Sequence, residues 1–164
     1  MALSKAVEMA RRMETDAIRF YKGASRKTSH PFGKKMFEGF TRDETRHLGM
    51  LDDIIKGLDI DLNVESTGNI RTVFSELRDQ MMQRIEATTD EKEAIKVALE
   101  MEKKGYNYYL KAADEAPEGQ EKRLFEILSG EEEMHYQLLS NTYAFLEDTG
   151  NWFMWKELSI VEGG

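Results

Sequence analysis

Two short stretches of the chain carry the same pair of potential ligands, Glu44-x-x-His47 and Glu132-x-x-His135. On a helix this spacing turns both side chains to one face, about 5–6 Å apart at Cβ, so that one helix offers an oxygen and a nitrogen to a single ion. Both pairs interrupt apolar stripes: Phe37, Phe40, Glu44, His47, Leu51 in one case and Phe125, Leu128, Glu132, His135, Leu139 in the other. Two further glutamates break stripes in the same way, in Val7, Ala10, Glu14, Ala17, Tyr21 and in Ile95, Ala98, Glu102, Gly105, Tyr109. An unpaired buried carboxylate costs several kcal/mol even after relaxation, and four that converge would exceed a domain stability of roughly 5–15 kcal/mol. No lysine or arginine falls on these stripes near the glutamates, so the balancing charge must come from elsewhere. Two divalent cations would supply it. Mixed carboxylate and imidazole ligands suit iron or manganese, and zinc stays open on affinity grounds. In this reading Glu14 and Glu102 each complete a site from the other helix pair, bridging or terminal, and open positions remain for a small oxidant.

Tyr21 and Tyr109 lie seven residues beyond Glu14 and Glu102, on the same face two turns along. Core packing explains them, and so does a hydroxyl seeking a metal-bound carboxylate. Other polar residues read as bland. His30 precedes Pro31 in a turn and off any stripe, as a solvated loop residue would. Glu131 and Glu133 point about 100° to either side of Glu132 and, with Glu8 and Glu100, read as surface charges.

The stripes define the elements that must hold these groups. Spacing of three and four predicts α1 over about residues 3–28, α2 over 33–57, α3 over 90–115 and α4 over 120–147. A short turn containing Pro31 makes α1 and α2 antiparallel neighbours, and Gly57 is a candidate to end α2. Asp90 followed by Glu93 reads as a capping box that opens α3. Residues 58–89 form a long crossover with an amphipathic pattern of its own from Ile70 to Ile85, a short extra helix. The tail, 148–164, carries Trp152, Phe153 and Trp155, aromatics suited to cap the bundle rather than bind a ligand.

The chain also repeats itself. An ungapped offset of 88 aligns Ala10, Met13, Glu14, Tyr21, Lys34, Phe37, Glu44 and His47 with identical residues at Ala98, Met101, Glu102, Tyr109, Lys122, Phe125, Glu132 and His135. Helical periodicity alone would match apolar classes, not the same charged residues. The first two helices therefore recur as the last two, giving a pseudo-two-fold bundle in which α2 and α3 are parallel and the crossover spans its length.

Composition limits the alternatives. The 164 residues and 40% apolar content fit one domain, residues 1–164, and two prolines leave an all-α chain. With no cysteine, thiolate metal sites, iron–sulfur clusters, disulfides and cysteine nucleophiles are excluded. A net charge of -8 argues against a nucleic-acid partner. No apolar run approaches the roughly 20 residues of a membrane span, and Met1 to Met13 is too charged for a signal peptide, so the expected location is cytoplasmic.

Core glutamates on α1 and α3 with Glu-x-x-His on α2 and α4 resemble the ferritin-like di-iron carboxylate bundles. The tyrosine seven after the first glutamate and the spacing Phe37-x6-Glu44-x2-His47 are most similar to the rubrerythrin branch, over about residues 3–147. The resemblance implies two iron ions per chain on Glu14, Glu44, His47, Glu102, Glu132 and His135, with Tyr21 and Tyr109 near the carboxylates, and a homodimer. Rubrerythrins usually add a rubredoxin domain with four iron-binding cysteines. This sequence has none, so the electrons are expected from a separate donor such as a rubredoxin. They also usually carry a further glutamate one turn after the first ligand of the third helix, where this chain has Gly105. That puts the redox-linked ligand shift, and with it efficient peroxide reduction, in question. The function implied is reduction of hydrogen peroxide or dioxygen, the alternative an iron-binding ferroxidase for storage or handling.

Overall fold

A computed structural model describes residues 2–57 and 87–152. The short helix expected within the crossover, and Phe153 and Trp155 of the tail, lie outside the described residues. Four helices are present: α1 Ala2–Lys27, α2 Pro31–Ile55, α3 Thr89–Glu115 and α4 Gln120–Thr149. Each lies within about two residues of its expected bounds, because long stripes with Gly or Pro at their ends leave little choice of register. No helix among the described residues is long and apolar enough to cross a membrane.

The termini correct two expectations. His30 is fully buried and caps α2, its Nδ1 accepting the backbone N–H of Phe32 at 3.0 Å while Pro31 needs no acceptor. Its ring stacks on Trp152, 5.7 Å away between centroids, which the loop reading did not foresee because the chain places Trp152 there from 122 positions later. The capping box of α3 lies two residues before the expected one: Thr88 Oγ1 accepts the N–H of Glu91 at 3.1 Å, and Glu91 accepts that of Thr88 at 2.9 Å. Glu91 also accepts from Ser29 N at 2.6 Å and from Trp152 Nε1 at 3.4 Å. One buried carboxylate thus joins the α1–α2 turn, the start of α3 and the segment after α4, and Trp152 does cap this end of the bundle.

The cross-helix contacts fix the topology. Tyr21 meets Glu102 and Glu14 meets Tyr109, so advancing along α1 means retreating along α3. His47 meets Glu131 and Asp43 meets His135, which makes α2 and α4 antiparallel as well. With antiparallel α1–α2 and α3–α4 hairpins, α2 and α3 run parallel, as the repeat requires. The repeat extends to helix ends: Lys34 donates to the carbonyl of Ser25 at 2.9 Å and Lys122 to that of Ala113 at 2.7 Å, each satisfying the last turn of the preceding helix.

The core falls into two apolar clusters. One is built around Tyr21, Phe37, Phe40, Ile95, Leu139 and Trp152, the other around Val7, Leu51, Tyr109, Leu124, Phe125 and Leu128. Every helix passes from one cluster to the other, and on every helix the core glutamate stands at the crossing.

Candidate metal centre

The polar layer between the clusters holds Glu14, Glu44, His47, Glu102, Glu132 and His135, none more than 4% exposed. Their donor atoms form two groups, each within 4.8 Å: Glu14, Glu44, His47, Glu132 and Glu44, Glu102, Glu132, His135. Glu44 and Glu132 belong to both. This corrects one detail of the sequence reading. Glu14 and Glu102 stay with the Glu-x-x-His of their own half, and the carboxylates that cross between halves are Glu44 and Glu132, because α2 and α4 face each other across the layer.

Each of the six side chains turns one buried atom inward with no hydrogen-bond partner: Glu14 Oε2, Glu44 Oε1, His47 Nδ1, Glu102 Oε2, Glu132 Oε1 and His135 Nδ1. Six such atoms in one place would each cost about 1–3 kcal/mol if nothing satisfied them. His47 Nδ1 lies 3.6 Å from oxygens of Glu14 and Glu132 and 3.7 Å from Glu44, and His135 Nδ1 lies 3.3 Å from Glu44 and 3.5 Å from Glu102. Donors around one first-row ion, with bonds of about 2.0–2.2 Å, stand roughly 3–3.5 Å apart. The residues therefore fit a pair of metal ions.

Two carboxylates that the sequence reading missed fix the imidazoles from behind. Asp43 Oδ2 accepts from His135 Nε2 at 2.9 Å, and Glu131 Oε1 accepts from His47 Nε2. With Nε2 carrying the hydrogen, Nδ1 presents its lone pair to the centre. Glu131, expected on the surface, is only 6% exposed, and Asp43 is fully buried. On the Glu131 side of α4 the position 100° from the core direction faces the seam with α2 rather than water, and Arg46 meets Glu131 there at 2.8 Å. The signal was present at the same offset of 88, where an acid precedes the ligand glutamate in both halves, but as Asp43 against Glu131 it escapes a match by identity. The tyrosines resolve their alternatives: Tyr21 donates to Glu102, and Tyr109 to Glu14 at 2.6 Å, each across the α1–α3 seam.

The rubrerythrin family model matches residues 5–143. The chain belongs to the rubrerythrin family. No curated protein and no solved structure matches it significantly. A rubrerythrin domain is a ferritin-like di-iron carboxylate domain, and in this member the polar layer brings together two groups of buried carboxylates and imidazoles that could hold metal.

Without metal, the rubrerythrin layer balances itself with protons. Burial and the neighbouring charge of Glu14 push Glu44 well above the usual carboxylate range, and burial and the charge of Glu102 do the same to Glu132. Glu14 and Glu102 are held low: burial is outweighed by hydrogen bonds from Glu44 and Glu132 and by the imidazolium charges. Burial disfavours a charged His47, but Glu14 and Glu131 overcome it and raise the imidazole to about 10. His135 rises for the same reason, with Glu102 as the main charge. Glu131 falls to about 2, burial being outweighed by His47 and Arg46. Burial beside Glu102 and Glu14 keeps both tyrosines protonated as donors. Glu44, Glu132 and the two imidazoles are thus the groups whose hold on protons bound cations would have to displace.

At position 105, where rubrerythrins usually place the extra glutamate, the space belongs to Glu132. A Cβ on Gly105 would stand 3.2 Å from Glu132 Oε2 and 3.5 Å from its Cδ.

Proposed function

We propose that this chain is a rubrerythrin-type oxidoreductase that holds two iron ions on Glu14, Glu44, His47, Glu102, Glu132 and His135, and reduces hydrogen peroxide or dioxygen with electrons from a separate donor. The observation that supports it is the set of six inward donor atoms without partners, in two groups sharing Glu44 and Glu132. A ferrous pair held by these residues would supply two electrons to the oxidant. Glu44 and Glu132 reach both positions, Asp43 and Glu131 hold the histidines with Nδ1 inward, and the apolar clusters on either side exclude bulk water. Tyr21 and Tyr109 hold their protons toward Glu102 and Glu14 and so steady these two carboxylates.

A second reading, an iron-binding ferroxidase for storage or handling, draws support from Gly105, which brings no further carboxylate to the centre and where a Cβ would press on Glu132. Anaerobic ferrous titration followed by stopped-flow oxidation separates the two. Two ions per chain and faster oxidation by peroxide than by dioxygen is the outcome expected. Faster oxidation by dioxygen moves the assignment to ferroxidase, and one ion or none removes the paired centre.

A further inference from the structure

The two core tyrosines share one hydrogen-bond pattern but not one set of neighbours. Tyr21 packs on Phe20, Phe37 and Phe40, with ring centroids 5.6, 6.0 and 5.2 Å away. Tyr109 packs on Phe125 at 5.9 Å and on Tyr108 at 5.7 Å. At the offset of 88, Phe37 becomes Phe125 while Phe20 becomes Tyr108, and the edge contacts of these last two match, with interplanar angles of 68° and 73°. The bundle has thus built the same ring pair twice and placed a second phenol in one copy. Tyr108 is half-buried at the α1–α3 seam, where its hydroxyl donates to the carbonyl of Ala6 at 2.8 Å. Tyr109, buried behind it, donates to Glu14 Oε1 at 2.6 Å, and Glu14 turns its other oxygen, Oε2, to the metal layer. A continuous line therefore runs from the layer through Glu14 and two phenols to the surface.

Ring type decides what such a line can carry. A phenol releases an electron together with its hydroxyl proton and leaves a neutral radical, whereas a phenylalanine ring has no such proton to release and is far harder to oxidise. All three ring neighbours of Tyr21 among the described residues are phenylalanines, so an oxidised Tyr21 has no ring to relieve it, and Tyr109 has one. We propose that Tyr109 and Tyr108 are an outlet through which one-electron oxidation, reaching the metal layer during reaction with hydrogen peroxide, is passed to the surface and repaired there by a small thiol or ascorbate. Tyr109 gives its electron to the oxidised metal pair and its proton to Glu14, then regains an electron from Tyr108 and its proton from Glu14. Tyr108 releases its own proton to water, and the thiol or ascorbate restores it by donating one hydrogen atom. This outlet rests on the oxidoreductase reading above.

The test mixes the full chain, loaded anaerobically with ferrous iron, with hydrogen peroxide and a nitroso spin trap. Radicals are read by electron paramagnetic resonance of freeze-quenched samples and by peptide mapping of trap adducts. In wild type the adduct should lie on Tyr108, and the metal-free chain should give none there. Tyr109→Phe, which keeps the ring, should lose the adduct. Tyr108→Phe should hold the radical on Tyr109, where ascorbate clears it more slowly than in wild type. Phe20→Tyr should gain a second adduct at position 20, which adding Tyr21→Phe removes. Tyr106→Phe, in the groove between α3 and α4, should change nothing. If Tyr109→Phe lowers iron uptake through the bond that Glu14 loses, the gain in Phe20→Tyr and the persistence in Tyr108→Phe decide. An adduct on Tyr108 that survives Tyr109→Phe or forms without iron, or no tyrosyl radical in a chain whose bound iron peroxide does oxidise, overturns the outlet alone. A chain that takes up no iron, or whose iron peroxide leaves unoxidised, overturns the oxidoreductase reading with it.

Discussion

Asp43 on α2 accepts a hydrogen bond from Nε2 of His135 on α4 at 2.9 Å, and the repeat image of that contact runs back from His47 to Glu131. Each hairpin thus aims the other hairpin's histidine. Asp43→Ala should lower metal affinity by about 10–100-fold while the helical signal is kept, because the ligands remain but His135 loses the group that sets its tautomer and ring angle. Competition against a chelator measures this. Affinity equal to wild type would mean that packing against Phe40, 4.4 Å from the His135 ring, is sufficient to orient it.

Metal loading should release protons. His47 is raised to about 10, and His135, Glu44 and Glu132 are raised as well, so near neutral pH the metal-free layer carries protons that the ions must displace. Affinity should fall as pH falls, and calorimetry in buffers of different ionisation enthalpy should give a proton count well above zero. The folded imidazole of His47 keeps its proton from 6.5, its unfolded value, up to about 10. Its contribution to metal-free stability is therefore full below pH 6.5 and lost as pH rises through about 10. Melting of the metal-free protein should drop over that window and that of the loaded protein should not. A buffer-independent binding heat would contradict the proton balance drawn for the layer.

Glu102→Leu and Glu133→Leu distinguish a carboxylate kept for metal from one kept in water. Glu102 is 1% exposed and Glu133 lies on the outer face of α4. Ions at a thousand times their Kd should stabilise wild type by about 4 kcal/mol, or roughly 8–16 °C for a chain of this size. Glu133→Leu should keep that rise and shift stability by no more than about 0.5 kcal/mol. Glu102→Leu should lose most of it. Without metal its change should be smaller, since relief of carboxylate repulsion offsets the acceptor that Tyr21 loses, about 1–3 kcal/mol. Thermal melts with and without ferrous iron report both states. An undiminished metal-induced rise in Glu102→Leu would remove Glu102 from the ligand set.

Two glycines should respond in opposite directions. A Cβ on Gly33 would lie 2.6 Å from both the Trp152 ring and Thr28 Cγ2, so Gly33→Ala should cost about 1–3 kcal/mol by forcing the cap of the bundle apart. Gly23, inside α1, has nothing within 4 Å of a Cβ, and Gly23→Ala should stabilise by about 0.5–1 kcal/mol. Denaturant midpoints of the two variants measure both. A neutral Gly33→Ala would show that Trp152 does not pack as tightly as the structure has it.

The sequence alone determined the helices, their pairing by repeat and the six inward donors, because each depends on periodicity within one helix or on identity at a fixed offset. A glutamate among Val7, Ala10 and Ala17 must face the core whatever the neighbouring helix does. What lies between helices was not legible in the same way. Whether Glu131 meets water or His47, whether Glu44 or Glu14 crosses to the other half, and whether Trp152 covers His30 depend on how α2 is rotated and offset against α4 and on where the chain returns. Residues at the edge of a stripe are apolar or charged according to what stands across the seam, and local periodicity carries no record of that partner. The tertiary structure decides it, since only packing brings Arg46 and His47 of one helix within hydrogen-bond range of Glu131 of another, 85 and 84 positions away.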